Sequence, residues 1–335
     1  MRKLLGRIAG WLRRLFRRPD VPGRFESGSR FAWSGRIASA PLLWPSRDYL
    51  LYVPRNHWRW LPVPMVVLCH GCLQTPEEIA KGTRIVALAD ERGFIVLLPR
   101  QSEKANAWRC WTWFDPRTAE GGGETAIVAA QMKAVMRRYR IDRSRVIVAG
   151  MSAGGALAAA MGVRYPGLVR AVAAHSGIPC GAAASPLDAL RVAAKGPEQD
   201  VVSVADNARR KAPARALPVP LLAIHGGRDE VVAPCHAIAM VAQFLRLNGH
   251  AGAAADPASM TSLPPADRES RTTLPDAREE VAREWRVDGR LVARLVEIAG
   301  LGHAWSGGDA TLQYNDAHAP DATALLGAFI DDALR

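Results

Sequence analysis

The chain has 335 residues, enough for one large α/β domain with decorations or two modest domains. It is 49% hydrophobic and 23% charged, the balance of a folded soluble protein. The net charge of +12 points at first to a nucleic-acid or anionic-surface partner, but Arg2, Lys3, Arg7, Arg13, Arg14, Arg17 and Arg18 place seven cations in the first 18 residues, with no acid among them. Taking those seven from +12 leaves +5 for the remainder, so charge gives no ground for a nucleic-acid partner.

In that first segment Leu4, Leu5, Ile8, Trp11, Leu12, Leu15 and Phe16 recur at spacings of three and four, with the cations opposite. A basic amphipathic helix of this kind suits the surface of a membrane or polymer granule, or packs on its own domain. No run reaches the roughly 18 apolar residues that span a bilayer, and Arg7, Arg13 and Arg14 interrupt the apolar core a secretory signal needs. The expectation is a cytoplasmic protein, peripheral at a membrane or granule surface. Residues 19–29, rich in Pro, Gly and Ser, read as a linker, so 1–29 precede a single α/β domain over 30–335.

Residues 30–37 and 48–53 mix apolar and polar side chains and read as antiparallel edge strands. From residue 64 the pattern changes. Residues 65–69 form a short apolar run, as in a strand buried on both faces. Thr75, Pro76 and Glu78 spell an N-cap, a first-position proline and a capping box for a helix to about residue 92. Strands over 94–98, 145–149, 169–173 and 219–224 then alternate with helices over 124–139, 153–165 and 234–247, the last ending at Asn248-Gly249. Such alternation means a mostly parallel central sheet with helices on both faces, whose strand C-termini share one edge. Residues 251–283 lack a period and read as a surface insertion. Asp288-Gly289 joins strands over 284–287 and 291–298 as a hairpin, and a last helix covers about 321–334.

Five cysteines (Cys69, Cys72, Cys110, Cys180, Cys235) give an odd count. The C-x-x-C at 69–72 straddles a strand end and a His-Gly turn with no second pair, which speaks against zinc and thioredoxin chemistry.

Gly150-Met151-Ser152-Ala153-Gly154 matches G-x-S-x-G, directly after an apolar strand and directly before a helix. A turn that sharp strains the serine backbone and tolerates only small neighbours, while lifting the hydroxyl above the sheet edge. A neutral serine needs a base, and the base an orienting acid. Asp229 follows the strand ending at residue 224, and His303 lies in a glycine-rich loop after the strand ending at 298. Glu230 and Asp309 compete as the acid, and His225, His236 and His318 as the base. The oxyanion requires two amides: Ala153 N–H after the nucleophile, and Cys72 N–H from the His70-Gly71-Cys72 loop. Trp108, Trp111, Trp113 and Phe114 crowd another loop on this edge; Trp111 and Trp113, with Trp305 beyond His303, either line an acyl or polymer cleft or pack over the sheet edge.

His70-Gly71-Cys72, Arg109-Cys110-Trp111-Thr112-Trp113-Phe114, Gly150-Met151-Ser152-Ala153-Gly154-Gly155 and Gly302-His303-Ala304-Trp305-Ser306-Gly307-Gly308 occur in this order. Over roughly residues 46–334 the chain therefore resembles the poly(3-hydroxybutyrate) depolymerase-like esterases, a branch of the α/β-hydrolases that includes feruloyl and acetylxylan esterases. The resemblance implies the α/β-hydrolase fold and a Ser152–Asp229–His303 triad with Cys72 as an oxyanion donor. It also implies a Cys72–Cys110 disulfide. Secreted polymer depolymerases of this family carry signal peptides and a separate polymer-binding domain, neither of which is expected here. The expectation is an esterase for short or amorphous hydroxyalkanoates that needs no metal or organic cofactor. Its rivals are a feruloyl or acetylxylan esterase, and an inactive granule-associated relative.

Overall fold

A computed structural model describes residues 22–31, 46–55, 57–213, 216–253 and 262–334. The basic amphipathic segment 1–18 and residues 19–21 of the linker lie outside these residues. Among the described residues, ten strands form one sheet in the order β1-β2-β4-β3-β5-β6-β7-β10-β9-β8. The strands are β1 (Arg24–Phe31), β2 (Ser46–Val53), β3 (Val63–Cys69), β4 (Ile95–Pro99), β5 (Ile141–Met151), β6 (Ala171–His175), β7 (Leu221–Gly226), β8 (Arg268–Thr273), β9 (Glu279–Val287) and β10 (Arg290–Ile298).

Strands β4, β3, β5, β6, β7 and β10 run parallel to one another. Antiparallel pairs close both edges: β1 and β2 beside β4, and β9 and β8 beside β10. The central strands alternate between two cores. Met65, Val67 and Cys69 of β3 pack with Val146 and Val148 of β5 on one face, and Val66, Leu68, Ile147 and Ala149 on the other. Burial on both faces explains why these strands read as unbroken apolar runs.

The first face is covered by α4 (Gly123–Arg138), α5 (Ala153–Arg164) and α8 (Cys235–Asn248), through Met132, Leu157 and Phe244 among others. The second is covered by α1 (Pro76–Gly82), α2 (Ile85–Arg92) and α9 (Ala322–Ala333), through Ile79, Ile85 and Phe329. The remaining helices are α3 (Pro116–Ala119), α6 (Pro186–Lys195) and α7 (Val201–Lys211), and a two-stranded ladder joins β11 (Trp305–Ser306) to β12 (Asn315–Asp316).

Several sequence expectations need correction. The first strand starts at Arg24, inside the stretch read as linker: its polar R-F-E-S-G-S sequence hides a strand held by main-chain pairing to β2. The irregular reading of 251–283 fails at β8 and the start of β9. Every residue of β8 is exposed, so no apolar period betrays it; Arg271–Glu269, Arg283–Glu269 and Arg271–Glu279 ion pairs dress the ladder instead. The helix read from 75 to 92 is two. Thr75 and Glu78 do form the capping box, but Arg84 turns left-handed (φ 56°) and the chain restarts at Ile85. The break admits the loop beyond β11, since the Gly82 carbonyl accepts from Asp309 N–H at 2.9 Å and a methyl group on Gly82 would lie 2.7 Å from Asn315. Helices α6 and α7 fill a stretch the sequence reading left unassigned. Asp288 (φ 50°) and Gly289 (φ 77°) make the two-residue hairpin turn.

Strand order positions the site. After β3 the chain crosses to β4 on one side; after β5 it crosses to β6 on the other. Neighbours whose connections diverge open a crevice at their C-terminal ends. Residues 70–72 and Ser152 leave β3 and β5 at that point.

Candidate active site

Ser152 sits between the last residue of β5 and the first of α5, at φ 57° and ψ −124°. A side chain held there costs on the order of 1–3 kcal/mol and persists only when its surroundings force it. The forcing is visible. A methyl group on Gly154 would lie 2.2 Å from the Cys69 carbonyl oxygen, and one on Gly150 would lie 2.3 Å from the Gly154 carbonyl oxygen. Strand and helix can approach this closely only because both positions lack a side chain. Ser152 N–H donates to the His175 carbonyl at 2.9 Å, tying the turn to β6. The first amides of α5 have no intrahelical acceptors and, with the helix dipole, favour negative charge at this spot.

The neighbouring loop contributes from the β3 side. Gly71 faces Ser152, so that a methyl on it would lie 3.4 Å from the serine β-carbon. A disulfide joins Cys72 to Cys110, with α-carbons 4.2 Å apart. Leu73 N–H donates to the Trp108 carbonyl at 2.7 Å, and Arg109 Nη2 to the Leu73 carbonyl at 2.6 Å. The two loops are thus laced together beside the serine.

Asp229 and His303, 74 positions apart, are brought together by the parallel pairing of β7 with β10. The loops that follow these strands are also joined: Gly227 N–H donates to the Ile298 carbonyl and Arg228 N–H to the Leu301 carbonyl, each at 2.9 Å. His303 Nδ1 then lies 3.0 Å and 2.8 Å from the two carboxylate oxygens of Asp229. Asp229 Oδ1 also accepts from Val231 N–H at 3.0 Å and Val232 N–H at 2.9 Å. Burial pushes the Asp229 carboxyl up, but the His303 hydrogen bond and charge and the Val232 amide outweigh it and hold it at about 2. A carboxylate that stays ionised fixes the imidazole proton on Nδ1, and Nε2 has no partner among the described residues.

The loop beyond His303 returns across β6. Trp305 stacks on His175 with ring centres 5.2 Å apart, and Ser306 N–H points at His175 Nε2 at 3.4 Å. His303 is therefore carried back from β10 toward the β5 side of the edge. Burial first, then the nearby His225 and His303, press the His175 pKa down to about 3, so this ring is neutral.

The rival residues are placed elsewhere or differently. Glu230 is exposed, and Asp309 pairs with Thr311 and Lys81. His236 Nε2 bonds the Val192 carbonyl at 2.7 Å, and His318 pairs with Asp316. His225 is buried behind the acid, with Nε2 2.9 Å from the Val232 carbonyl and 3.5 Å from Asp229 Oδ2. Sequence reading treated His225 only as a rival base and missed His175, although each is a polar residue within an apolar strand at the edge where sites collect.

The substrate wall is a correction. Trp111 is fully buried, Trp113 is 8% exposed and Trp305 3%. Trp111 Nε1 donates to the His70 carbonyl at 3.0 Å, and Trp305 Nε1 to Thr323 Oγ1 at 3.1 Å. These rings pack the sheet edge rather than lining an open cleft. The exposed apolar groups here are Trp108 (65%), Leu73 (46%) and Val231 (54%), two residues from Asp229. Among the described residues there is no cluster suited to a metal ion and no helix long and apolar enough to cross a membrane.

The sequence profile of the family described as Esterase PHB depolymerase matches residues 47–261, a span that holds Ser152 and Asp229 but ends before His303. The poly(3-hydroxyalkanoate) depolymerase C of Paucimonas lemoignei is 31% identical over 188 residues, 56% of this chain and 45% of the relative. Feruloyl esterase B of Neurospora crassa is 31% identical over 193 residues, 55% of this chain and 65% of the relative. The chain thus spans about half to two thirds of the length of these relatives. An acetyl xylan esterase from Aspergillus awamori superposes with a TM-score of 0.63 at 19% identity, over 83% of this chain and 94% of the other, a likeness of fold.

Proposed function

Because the chain belongs to the Esterase PHB depolymerase family, and with it to the carboxylic ester hydrolases, we propose that it opens esters by two-step acyl transfer through Ser152. His303 Nε2 takes the serine proton as Ser152 Oγ attacks the ester carbonyl, and returns it to the departing alcohol. Asp229 holds the imidazole and stabilises its charged form. The Ala153 and Cys72 amides receive the oxyanion. Water, activated by the same imidazole, then releases the acid. The observation that carries this reading is the left-handed serine at the strand–helix turn, on the sheet edge that also bears a buried, ionised aspartate bonded to His303. In an unliganded site the serine–histidine contact commonly tightens only with substrate.

For the substrate we propose short or amorphous hydroxyalkanoate esters, met at the exposed apolar mouth of Leu73 and Trp108. The similarity to feruloyl esterase B supports a second reading, an ester of an aromatic or acetyl group on carbohydrate. Rates on hydroxybutyrate oligomers and on methyl ferulate, measured with the same purified protein, separate the two. Faster oligomer hydrolysis is expected; activity on ferulate alone would replace the first reading with the second.

A further inference from the structure

His70 is fully buried beside Trp111, its ring centre 5.3 Å from the indole. Both ring nitrogens are engaged by main-chain groups of fixed polarity. Gln101 N–H, which can only donate, lies 3.1 Å from Nε2; the Gly71 carbonyl, which can only accept, lies 2.7 Å from Nδ1. The proton therefore belongs on Nδ1. Burial, the largest influence, takes the ring's pKa down to about 4 and keeps it neutral.

Gln101 is fully engaged in turn. Its Nε2 donates to the Cys110 carbonyl at 2.9 Å and to Glu124 Oε1, and its Oε1 accepts from Arg47 Nε at 2.8 Å and Ser102 N–H at 2.9 Å. Buried Glu124 accepts from Thr112 N–H at 2.6 Å with its other oxygen.

This arrangement fixes the direction of one peptide group. A trans peptide points its carbonyl and its N–H in opposite directions. The Gly71 carbonyl faces the imidazole, and the imidazole faces Gln101, just beyond β4. The Cys72 N–H is thereby turned away from β4, toward β5 and Ser152, because β3 lies between those two strands. Among the described residues that amide has no acceptor. The Cys72–Cys110 disulfide holds the α-carbon, and the Gly71 carbonyl, which also accepts from Gln74 N–H at 3.4 Å, makes its shorter bond, 2.7 Å, to His70.

We propose that His70, held by Gln101 and Glu124, is the positioning residue that aims the Cys72 amide at the oxyanion. None of the three touches substrate. The inference rests on the reading of Ser152 as nucleophile and Cys72 N–H as donor.

The full-length protein carries the test, with kcat, KM and melting temperature measured for His70→Asn and His70→Gln on p-nitrophenyl butyrate. The asparagine amide nitrogen lies where Nδ1 lies and can still bond the Gly71 carbonyl; the glutamine amide lies where Nε2 lies and cannot. Loss of one oxyanion donor costs about a hundredfold to a thousandfold in kcat. His70→Gln should approach that loss, while His70→Asn stays within about tenfold of wild type, both at nearly unchanged KM. Equal kcat in the two variants, or losses that merely follow melting temperature, would overturn the proposal. Should neither variant fold, Glu124→Gln takes over the test: kcat should fall severalfold at constant KM, and an unchanged kcat contradicts the proposal. Full activity in Ser152→Ala would instead remove the underlying reading, a result distinct from any His70 outcome.

Discussion

Gly226, the last residue of β7, meets the loop of His303 so closely that a methyl group on it would lie 2.2 Å from the Leu301 carbonyl oxygen. Acid and base are held in register by backbone, not only by their mutual hydrogen bonds. Gly226→Ala must push the two loops apart. A displacement near 1 Å can cost about a hundredfold in rate, so kcat for p-nitrophenyl butyrate should fall by about that factor. Circular dichroism should report an intact sheet.

Asp229 contributes to stability as well as to geometry. Its folded pKa of about 2 lies below the roughly 3.9 of an unfolded aspartate. A depressed carboxylate stabilises the fold fully above the unfolded value, and that contribution is lost as pH falls from about 4 toward 2. The melting temperature of the wild type should therefore drop more steeply across that window than that of Asp229→Asn. At neutral pH the same variant should lose about a thousandfold to ten-thousandfold in kcat, because the imidazole is no longer held in the right tautomer.

Leu73 and Trp108 stand exposed beside the Cys72 amide, joined through main chain at 2.7 Å. Each buried methylene is worth about 0.8 kcal/mol, roughly fourfold in affinity. Trp108→Ala and Leu73→Ala should raise KM for butyrate and hexanoate esters by several such steps while leaving acetate hydrolysis nearly unchanged. Uniform changes across chain lengths would place the acyl group elsewhere.

The Cys72–Cys110 bond closes a loop with a sequence separation of 38 and anchors the proposed oxyanion donor. Cys110→Ala should lower stability by about 2–4 kcal/mol in chemical denaturation, and reduce kcat more than KM. Disulfides persist mainly in oxidising compartments, which sits uneasily with a cytoplasmic expectation. Thiol alkylation of protein taken directly from its native compartment, read by mass with and without reductant, decides whether the bond exists there.

Much of the fold can be read from the sequence because the central strands are buried on both faces, where runs such as Val66-Val67-Leu68 leave little choice. The turn at Ser152 is legible for a related reason: two glycines in a strand–helix junction state a close approach. Strand β8 is not legible, since a fully exposed ladder has no apolar side to repeat. Nor is the burial of Trp111, Trp113 and Trp305. Composition places aromatics at the edge, but whether each ring points under or over it depends on partners such as the His70 carbonyl and Thr323. The positions of His175 and His225 around Asp229 come from register across β6 and β7, which no local pattern encodes.

The most direct test is covalent. A fluorophosphonate reacts with a serine only where a base activates it and an oxyanion site receives the adduct. Peptide mapping after labelling should find the adduct on Ser152, and labelling should vanish in Ser152→Ala and fall sharply in His303→Ala. An unlabelled wild-type protein, or an adduct on another residue with esterase activity intact in Ser152→Ala, would contradict the account.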